Sequence, residues 1–125
     1  MIPYSPLGAG LLTGKYGVTR RPVGGRIAES TMYTKRYADQ SHYETAEQFA
    51  EFARERDLEP AALAVRWVAS HPAVTSAIIG ARTLAQLNGS LKMVDIKMTP
   101  ELRAEISALS PAPAVATDRT EARTT

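Results

Sequence analysis

Hydrophobic positions recur with a helical period in the central part of the chain. Residues 44–58 place apolar side chains near one face and charged side chains on the opposite face, which predicts an amphipathic helix. A second helix is predicted to start at Pro60, because the missing N–H of proline costs nothing in a first turn, and to end at His71 and Pro72. The predicted buried faces are Ala46, Phe49, Ala50, Ala53 and Leu58 in the first helix, and Leu63, Ala64, Trp67 and Val68 in the second.

Two further helices are predicted toward the carboxyl end. Thr83 is placed to cap one of them, and Gly89 inside it should cost on the order of 1 kcal/mol relative to alanine. Thr99 and Pro100 open the other. The apolar positions with helical spacing are Leu84, Leu87 and Leu91 in the first of this pair, and Leu102, Ile106 and Leu109, predicted to face inward, in the second.

The remaining stretches predict strands, a loop and a tail. Residues 1–4 predict a short buried strand, and residues 74–81, rich in β-branched side chains, predict another. Residues 17–43 hold no period, and a short helix is predicted near residues 31–37. An exposed, mobile, basic loop is predicted for Arg20, Arg21, Pro22, Gly24, Gly25 and Arg26, and a disordered tail for residues 111–125. Strands that alternate with helices favour parallel α/β units. Since two strands alone make no stable sheet, the chain is predicted to be part of a larger fold.

Length and composition exclude several classes of protein. A chain of 125 residues has the common size of one domain, which excludes a two-domain enzyme. Fifteen Lys and Arg against thirteen Asp and Glu leave a net charge of +2, too little to indicate a nucleic-acid partner despite a pI near 9.1. The lack of cysteine excludes disulfides and thiolate chemistry, and two isolated histidines argue against a metal centre. No apolar run approaches the roughly 20 residues of a membrane span and no signal-peptide pattern is present, so we expect a cytoplasmic protein without a membrane partner.

Two loops that follow the predicted strands are candidates for binding an anion. Residues 5–10 contain a proline and two glycines, and with Lys15 shortly beyond they suit a pyrophosphate. Residues 80–83 lead from a strand into a helix N-terminus, where unpaired N–H groups and the guanidinium of Arg82 attract a phosphate. The alternatives are a plain turn with a surface lysine and a capped helix with an exposed arginine. Ligands of α/β folds bind at the carboxyl ends of strands, where both loops lie.

These segments resemble the aldo-keto reductase family. Residues 4–16, YSPLGAGLLTGKY, closely resemble the family's segment after barrel strand seven. Residues 78–87, IIGARTLAQL, resemble the segment after strand eight, and residues 60–68 match the helix between the two. The resemblance covers about residues 1–110 and implies an α/β fold, the C-terminal portion of a TIM (β/α)8 barrel that is mostly helical with two short parallel strands. It also implies an NADPH-dependent oxidoreductase that reduces aldehydes and ketones.

The resemblance further implies which residues hold NADPH. The loop after strand seven would line the pyrophosphate and nicotinamide, a basic loop would fold over the cofactor, and the segment after strand eight would hold the 2′-phosphate and adenine. In that order, the residues are Ser5, Pro6, Leu7 and Gly8; Lys15 and Arg26; and Gly80, Arg82 and Gln86. The family commonly has an acidic residue and an asparagine shortly after Gln86, where this chain has Gly89 and Ser90. The hydroxyl of Ser90 would make a weaker contact there.

The catalytic residues of the family are not expected in this chain. The family's catalytic Asp, Tyr, Lys and His come from earlier strands, and a complete barrel needs roughly 250 residues. Tyr4 and Tyr16 are predicted to be packing residues, and Trp67 a core residue. We therefore expect a cofactor-binding part that is inactive alone and meets its carbonyl substrate only in the complete barrel. The alternative is a truncated, non-catalytic module that self-associates to bury its apolar edges.

Overall fold

The computed structural model describes residues 1–113, and the regular structure over that range is helical. The α-helices are α1 (Arg26–Glu29), α2 (Thr31–Arg36), α3 (Gln40–Arg54), α4 (Pro60–Ala69), α5 (Leu84–Leu91) and α6 (Pro100–Ser107). Two short 3-10 segments span Gly8–Thr13 and Lys92–Asp95. Within residues 1–113 no helix is both long enough and apolar enough to cross a membrane. Residues 114–125, most of the predicted tail, lie outside the described residues.

The main hydrophobic core forms where α3, α4 and α6 meet. Ala53 of α3 and Ala62 and Leu63 of α4 have no exposed surface, and Ile96 and Ile106 join them from the carboxyl-terminal side. Alanines at a helix contact let the backbones approach closely, and a larger side chain such as Leu63 then fills the remaining space. The inward faces predicted for α3, α4 and α6 are thus made of buried or partly buried residues, Trp67 included.

The bounds of α3 differ from the prediction at both ends. It begins at Gln40 instead of residue 44 because Asp39 caps it, accepting a hydrogen bond from Ser41 N at 2.9 Å. That bond holds the pKa of the Asp39 carboxyl below its ordinary value, so the cap stabilises the helix at neutral pH and is lost on acidification through that pKa. The helix ends at Arg54 because Asp57 takes a left-handed conformation (φ 55°) and Leu58 N donates to Ala53 O at 2.9 Å.

Residues 17–43, which hold no sequence period, are anchored to the body of the protein, whereas the basic loop predicted within them is largely exposed, as at Arg20, Arg21 and Arg26. Tyr16, Ile27 and Tyr43 are buried and form a second hydrophobic cluster with the 3-10 segment Gly8–Thr13. Glu47 Oε2 of α3 accepts a hydrogen bond from Val18 N at 3.5 Å, and Glu47 Oε1 lies 3.7 Å from Arg20 Nη2. The short helix predicted near residues 31–37 is confirmed as α2, whereas α1 was not predicted. The sequence did not indicate this packing, because the buried residues are too widely spaced to produce a hydrophobic period.

The two predicted strands are not present among the described residues. One isolated parallel bridge joins Tyr4 to Ile78, supported by hydrogen bonds of 2.9 Å from Thr75 N to Met1 O and from Ile78 N to Pro3 O. The ladder goes no further because Pro3 has no N–H to donate and Ser5 leaves the extended region with a φ of 57°. The two segments nevertheless lie side by side and run parallel, as expected for parallel α/β units.

Thr83 and Thr99 cap α5 and α6 as predicted. Thr83 Oγ1 accepts from Gln86 N at 3.2 Å, and Thr99 Oγ1 accepts from Leu102 N at 3.1 Å. The apolar side of α5 is poorly covered, however, since Leu84 is 77% exposed. Periodicity therefore located α5 correctly without determining how deeply its leucines are buried.

Two glycine substitutions should change stability in opposite directions. Gly89→Ala should raise the free energy of unfolding by about 0.5–1 kcal/mol, since a Cβ there meets nothing within 4 Å and alanine is the better helix former. Gly14→Ala should lower it, because Gly14 has a φ of 87° and its Cβ would lie 3.1 Å from Arg54 Nη2. Urea unfolding followed by circular dichroism measures both variants. Equal shifts for the two would contradict these backbone assignments.

Candidate functional site

The two candidate loops border one cavity of about 890 Å³. Nine of the ten predicted cofactor residues line it, namely Ser5, Pro6, Leu7, Lys15, Arg26, Gly80, Arg82, Gln86 and Ser90. Gly8 is not among the lining residues. Its N–H donates to Ser5 O at 3.0 Å, and a Cβ at Gly8 would lie 3.4 Å from the Tyr37 hydroxyl. The structure thus assigns Gly8 to the turn that shapes the loop.

The loop after Tyr4 has an unusual backbone. Ser5 and Ala9 both adopt left-handed conformations, with φ of 57° and 58°, although neither is glycine. Ser5 Oγ lies 3.4 Å from Ala9 N and accepts its hydrogen bond, while Leu12 N donates to Leu7 O at 3.1 Å. Non-glycine residues persist in this region only where their surroundings hold them there, and such positions cluster at functional sites.

The loop before α5 is organised by the side chain of Gln86. Gln86 Oε1 accepts the backbone N–H of Arg82 at 2.9 Å, while Gln86 N donates to Thr83 Oγ1. This reciprocal arrangement satisfies N–H groups at the start of the helix, close to the capping-box pattern. Because the amide oxygen of Gln86 is engaged in the cap, its Nε2 donor is the group left to meet a ligand. The capped helix and the exposed arginine of the alternative interpretation are both present, and both border the cavity.

Positive charge predominates around the cavity. Three lining residues, Lys15, Arg26 and Arg82, are cationic and exposed, whereas Glu59 is the acidic residue in the lining. Arg82 Nη2 also lies 3.6 Å from Glu29 Oε2 of α1. The start of α5 adds the partial positive charge of a helix N-terminus. Such a cavity attracts an anionic ligand.

Several glycines leave room for a ligand to approach the backbone. At Gly10, Gly80 and Gly89, which all line the cavity, an added Cβ would meet no atom within 4 Å. Ser90 is 3% exposed and also borders the cavity. The chain therefore has open space beside the cavity at Gly89.

Three tyrosines, Tyr4, Tyr16 and Tyr33, line the cavity, and sequence reasoning assigned none of them to it. Tyr4 lines the cavity and is 73% exposed, so its prediction as a packing residue is wrong for the described structure. Its place immediately before the candidate loop was the available signal. Tyr33 also lines the cavity, and only the fold of residues 17–43 brings it there. Tyr16 is a packing residue as predicted: its ring centroid lies 6.3 Å from that of Tyr43, and burial raises the pKa of its hydroxyl.

The described residues form a mostly helical segment with one large cavity, and comparison with known proteins assigns its family. A model described as the aldo/keto reductase family matches residues 1–111. "Protein tas" of Escherichia coli is 32% identical over 109 residues, a match covering 87% of this chain and 31% of the relative. The "Uncharacterized oxidoreductase YrpG" of Bacillus subtilis is 30% identical over 113 residues, covering 90% and 32%. An "Aldo-keto reductase" of Babesia bovis is 31% identical over 113 residues, covering 87% and 40%.

The chain belongs to the aldo/keto reductase family. The expected family is thereby confirmed, and membership of this family implies a TIM barrel, of which a mostly helical chain can be a part. The chain spans about a third of the length of the relatives that it matches, 31% of one and 32% of another.

Proposed function

We propose that this chain is the C-terminal, cofactor-binding part of an NADPH-dependent aldo-keto reductase barrel. The observation that carries the proposal is the convergence of nine of the ten residues predicted for NADPH on one cavity. They come from segments separated by more than 60 residues, such as those around Lys15 and Arg82. The segments around Lys15 and Arg82 each resemble a segment of the family, whereas Arg26 lies outside both. We propose a cytoplasmic location for the enzyme.

The donor set of the cavity fits a phosphorylated dinucleotide. Ligand pockets commonly enclose about 300–1,000 Å³, a range that includes this cavity. A dinucleotide with a 2′-phosphate carries its charge at two places, the pyrophosphate and the ribose. Lys15, Arg26 and Arg82 all border the cavity and supply cationic groups for these charges.

Each bordering segment would hold a different portion of the cofactor. The loop around Ser5 and Pro6 would face the pyrophosphate and the nicotinamide, and the exposed ring of Tyr4 offers a surface on which a planar group can stack. Arg82 would pair with the 2′-phosphate, and Gln86 Nε2 would donate to the adenine end. When bound, the nicotinamide cofactor supplies the hydride for carbonyl reduction. The residues of this chain bind and orient it.

Arg82→Ala should weaken NADPH binding about tenfold and leave NADH nearly unchanged. A charge-assisted contact is worth about 1.5–3 kcal/mol, and the low end applies because the Arg82 side chain is 64% exposed and already paired with Glu29. Lys15→Ala should weaken both dinucleotides, since a pyrophosphate is common to them. Fluorescence titration of each variant with each dinucleotide, at fixed salt, measures the two affinities.

Lys97→Ala provides the matched control, because Lys97 is exposed and does not line the cavity. It should change neither affinity. Equal loss of NADPH and NADH on Arg82→Ala would mean that the 2′-phosphate lies elsewhere. If neither Lys15→Ala nor Arg82→Ala changes the affinity for either dinucleotide, the cavity is not the dinucleotide site.

The purified chain alone should show no NADPH-dependent reduction of aldehydes. Carbonyl reduction needs a general acid to protonate the developing alkoxide, and in the family that group comes from strands before the seventh. Burial raises the pKa of the Tyr16 hydroxyl, which makes it a poorer proton donor. Absorbance of NADPH at a range of aldehyde concentrations measures turnover. Activity that follows the chain through purification would show that it supplies its own acid.

A self-associating module is the second candidate function, favoured by one exposed apolar surface. Met1, Ile2, Tyr4 and Ile78, which lie around the single β-bridge, are all more than half exposed. Apolar side chains grouped at an unpaired backbone edge are covered in most stable proteins. In the barrel proposal, other strands of the same enzyme cover them. In the alternative, a second copy does.

Sedimentation velocity of the purified chain is expected to show oligomers or a loosely packed monomer. Ile78→Asp should shift oligomers toward monomer, because a charge cannot be buried unpaired at an interface. Val23→Asp is the matched control, since Val23 is 99% exposed and far along the chain from the bridge. A compact monomer with a sharp, cooperative melt would argue against both the partial-barrel proposal and the self-associating module.

A further inference from the structure

The Glu29 carboxylate is paired with Arg82, the arginine that the proposed function assigns to the 2′-phosphate. Glu29 Oε2 of α1 lies 3.6 Å from Arg82 Nη2. The other oxygen, Glu29 Oε1, accepts the backbone N–H of Gly25 at 3.3 Å. Gly25, Arg26 and Arg82 all border the cavity. Glu29 therefore joins the segment that starts α1 to the segment that precedes α5.

This ion pair differs from the others in its location. The ion pairs among residues 1–113 also include Arg20 with Glu47, and Arg56 with Glu55 and Glu105, none of which line the cavity. Arg82 with Glu29 is thus the pair whose cation borders the cavity. Both side chains are more than half exposed, 64% and 58%, so the pair is weak enough for a ligand to displace.

We propose that Glu29 is a specificity-determining residue that competes with the 2′-phosphate of the dinucleotide for Arg82. The inference rests on the proposed function and adds to it a residue that lowers the preference for NADP over NAD. A phosphate that binds the Arg82 guanidinium must either displace the Glu29 carboxylate or remain close to it, and like charges repel. In either case, the phosphorylated dinucleotide binds more weakly.

The unphosphorylated dinucleotide meets no such competition. Its ribose carries a 2′-hydroxyl, which donates a hydrogen bond to a carboxylate and has no charge to be repelled. Glu29 can therefore remain paired with Arg82 when NAD binds. The Glu29 carboxylate should reduce the affinity for NADP and leave the affinity for NAD nearly unchanged. The preference for NADP over NAD that Arg82 creates is therefore smaller than it would be without Glu29.

Glu29→Gln tests the proposal with little risk to folding. The amide keeps an oxygen that can accept from Gly25 N and removes only the negative charge. The variant should bind NADP+ about fivefold more tightly than the parent chain, the effect of one screened unit charge at contact distance, with NAD+ changed less than about twofold. The gain should shrink at high ionic strength, because exposed charges are screened.

Two further variants separate the possible explanations. Glu44→Gln removes the same charge from an exposed position of α3 that does not line the cavity, and should change neither affinity. In an Arg82→Ala background, Glu29→Gln should no longer affect the ratio of NADP+ to NAD+ affinity, because the residue competed for is gone. Thermal unfolding of each variant verifies that the fold is retained.

The possible results distinguish this inference from the proposed function. If Arg82→Ala weakens NADP+ selectively but Glu29→Gln leaves the ratio unchanged or lowers it, the inference is wrong and the proposed function stands. If Glu29→Gln tightens both dinucleotides equally, Glu29 acts through the general field and not on Arg82, which also overturns it. If neither Arg82→Ala nor Lys15→Ala affects either dinucleotide, both proposals fail.

Discussion

The cavity exists because two distant segments are hydrogen-bonded in parallel. Thr75 N donates to Met1 O and Ile78 N donates to Pro3 O, each at 2.9 Å. In a parallel pair both chains leave the pairing in the same direction, so the loops that follow lie at the same edge. The groups around Lys15 and Arg82 consequently border one cavity instead of two unrelated surfaces. Two backbone bonds are few, and the helices supply the remaining support.

The helices support the cavity through close contacts between small residues. The buried alanines of α3 and α4 bring these helices together, and the first residues of α4 extend to the cavity, where Ala61 is part of the lining. Gly14 fits between Arg54 and Pro60 because it has no side chain, and Arg54 Nη2 donates to its carbonyl at 3.1 Å. The segment that carries Lys15 is thereby fixed to the ends of α3 and α4.

The charge around the cavity is predominantly positive. Cationic side chains from both halves of the chain border it, and the Thr83-capped start of α5 lies beside Arg82. The exposed position of these cations keeps each contact modest, since solvent screens them. Arg82 is in addition partly neutralised by Glu29. The affinity of such a site for a phosphate depends on whether Arg82 pairs more favourably with the phosphate or with the Glu29 carboxylate.

The sequence alone predicted the family by resemblance, the α4 start at Pro60 and the caps Thr83 and Thr99, and nine of the ten residues predicted for the cofactor border the cavity. The helix start and the caps follow from local chemistry, since a proline without an N–H and a hydroxyl at a helix start act within a few residues of the chain, whereas the cofactor residues follow from the family resemblance. The early end of α3 was not predictable, because an aspartate at position 57 took a conformation that glycine usually adopts.

Only the tertiary structure decided how residues 17–43 lie, and therefore which further groups reach the cavity. Tyr33 lines the cavity and Glu29 contacts Arg82, which is 53 positions away, because buried Ile27 and Tyr43 anchor this segment to the body of the protein. No local pattern records such contacts, since widely spaced buried residues leave no period. The depth of burial was undetermined for the same reason. Periodicity identifies an apolar face, as on α5, but only the arrangement of neighbouring elements decides whether that face is covered.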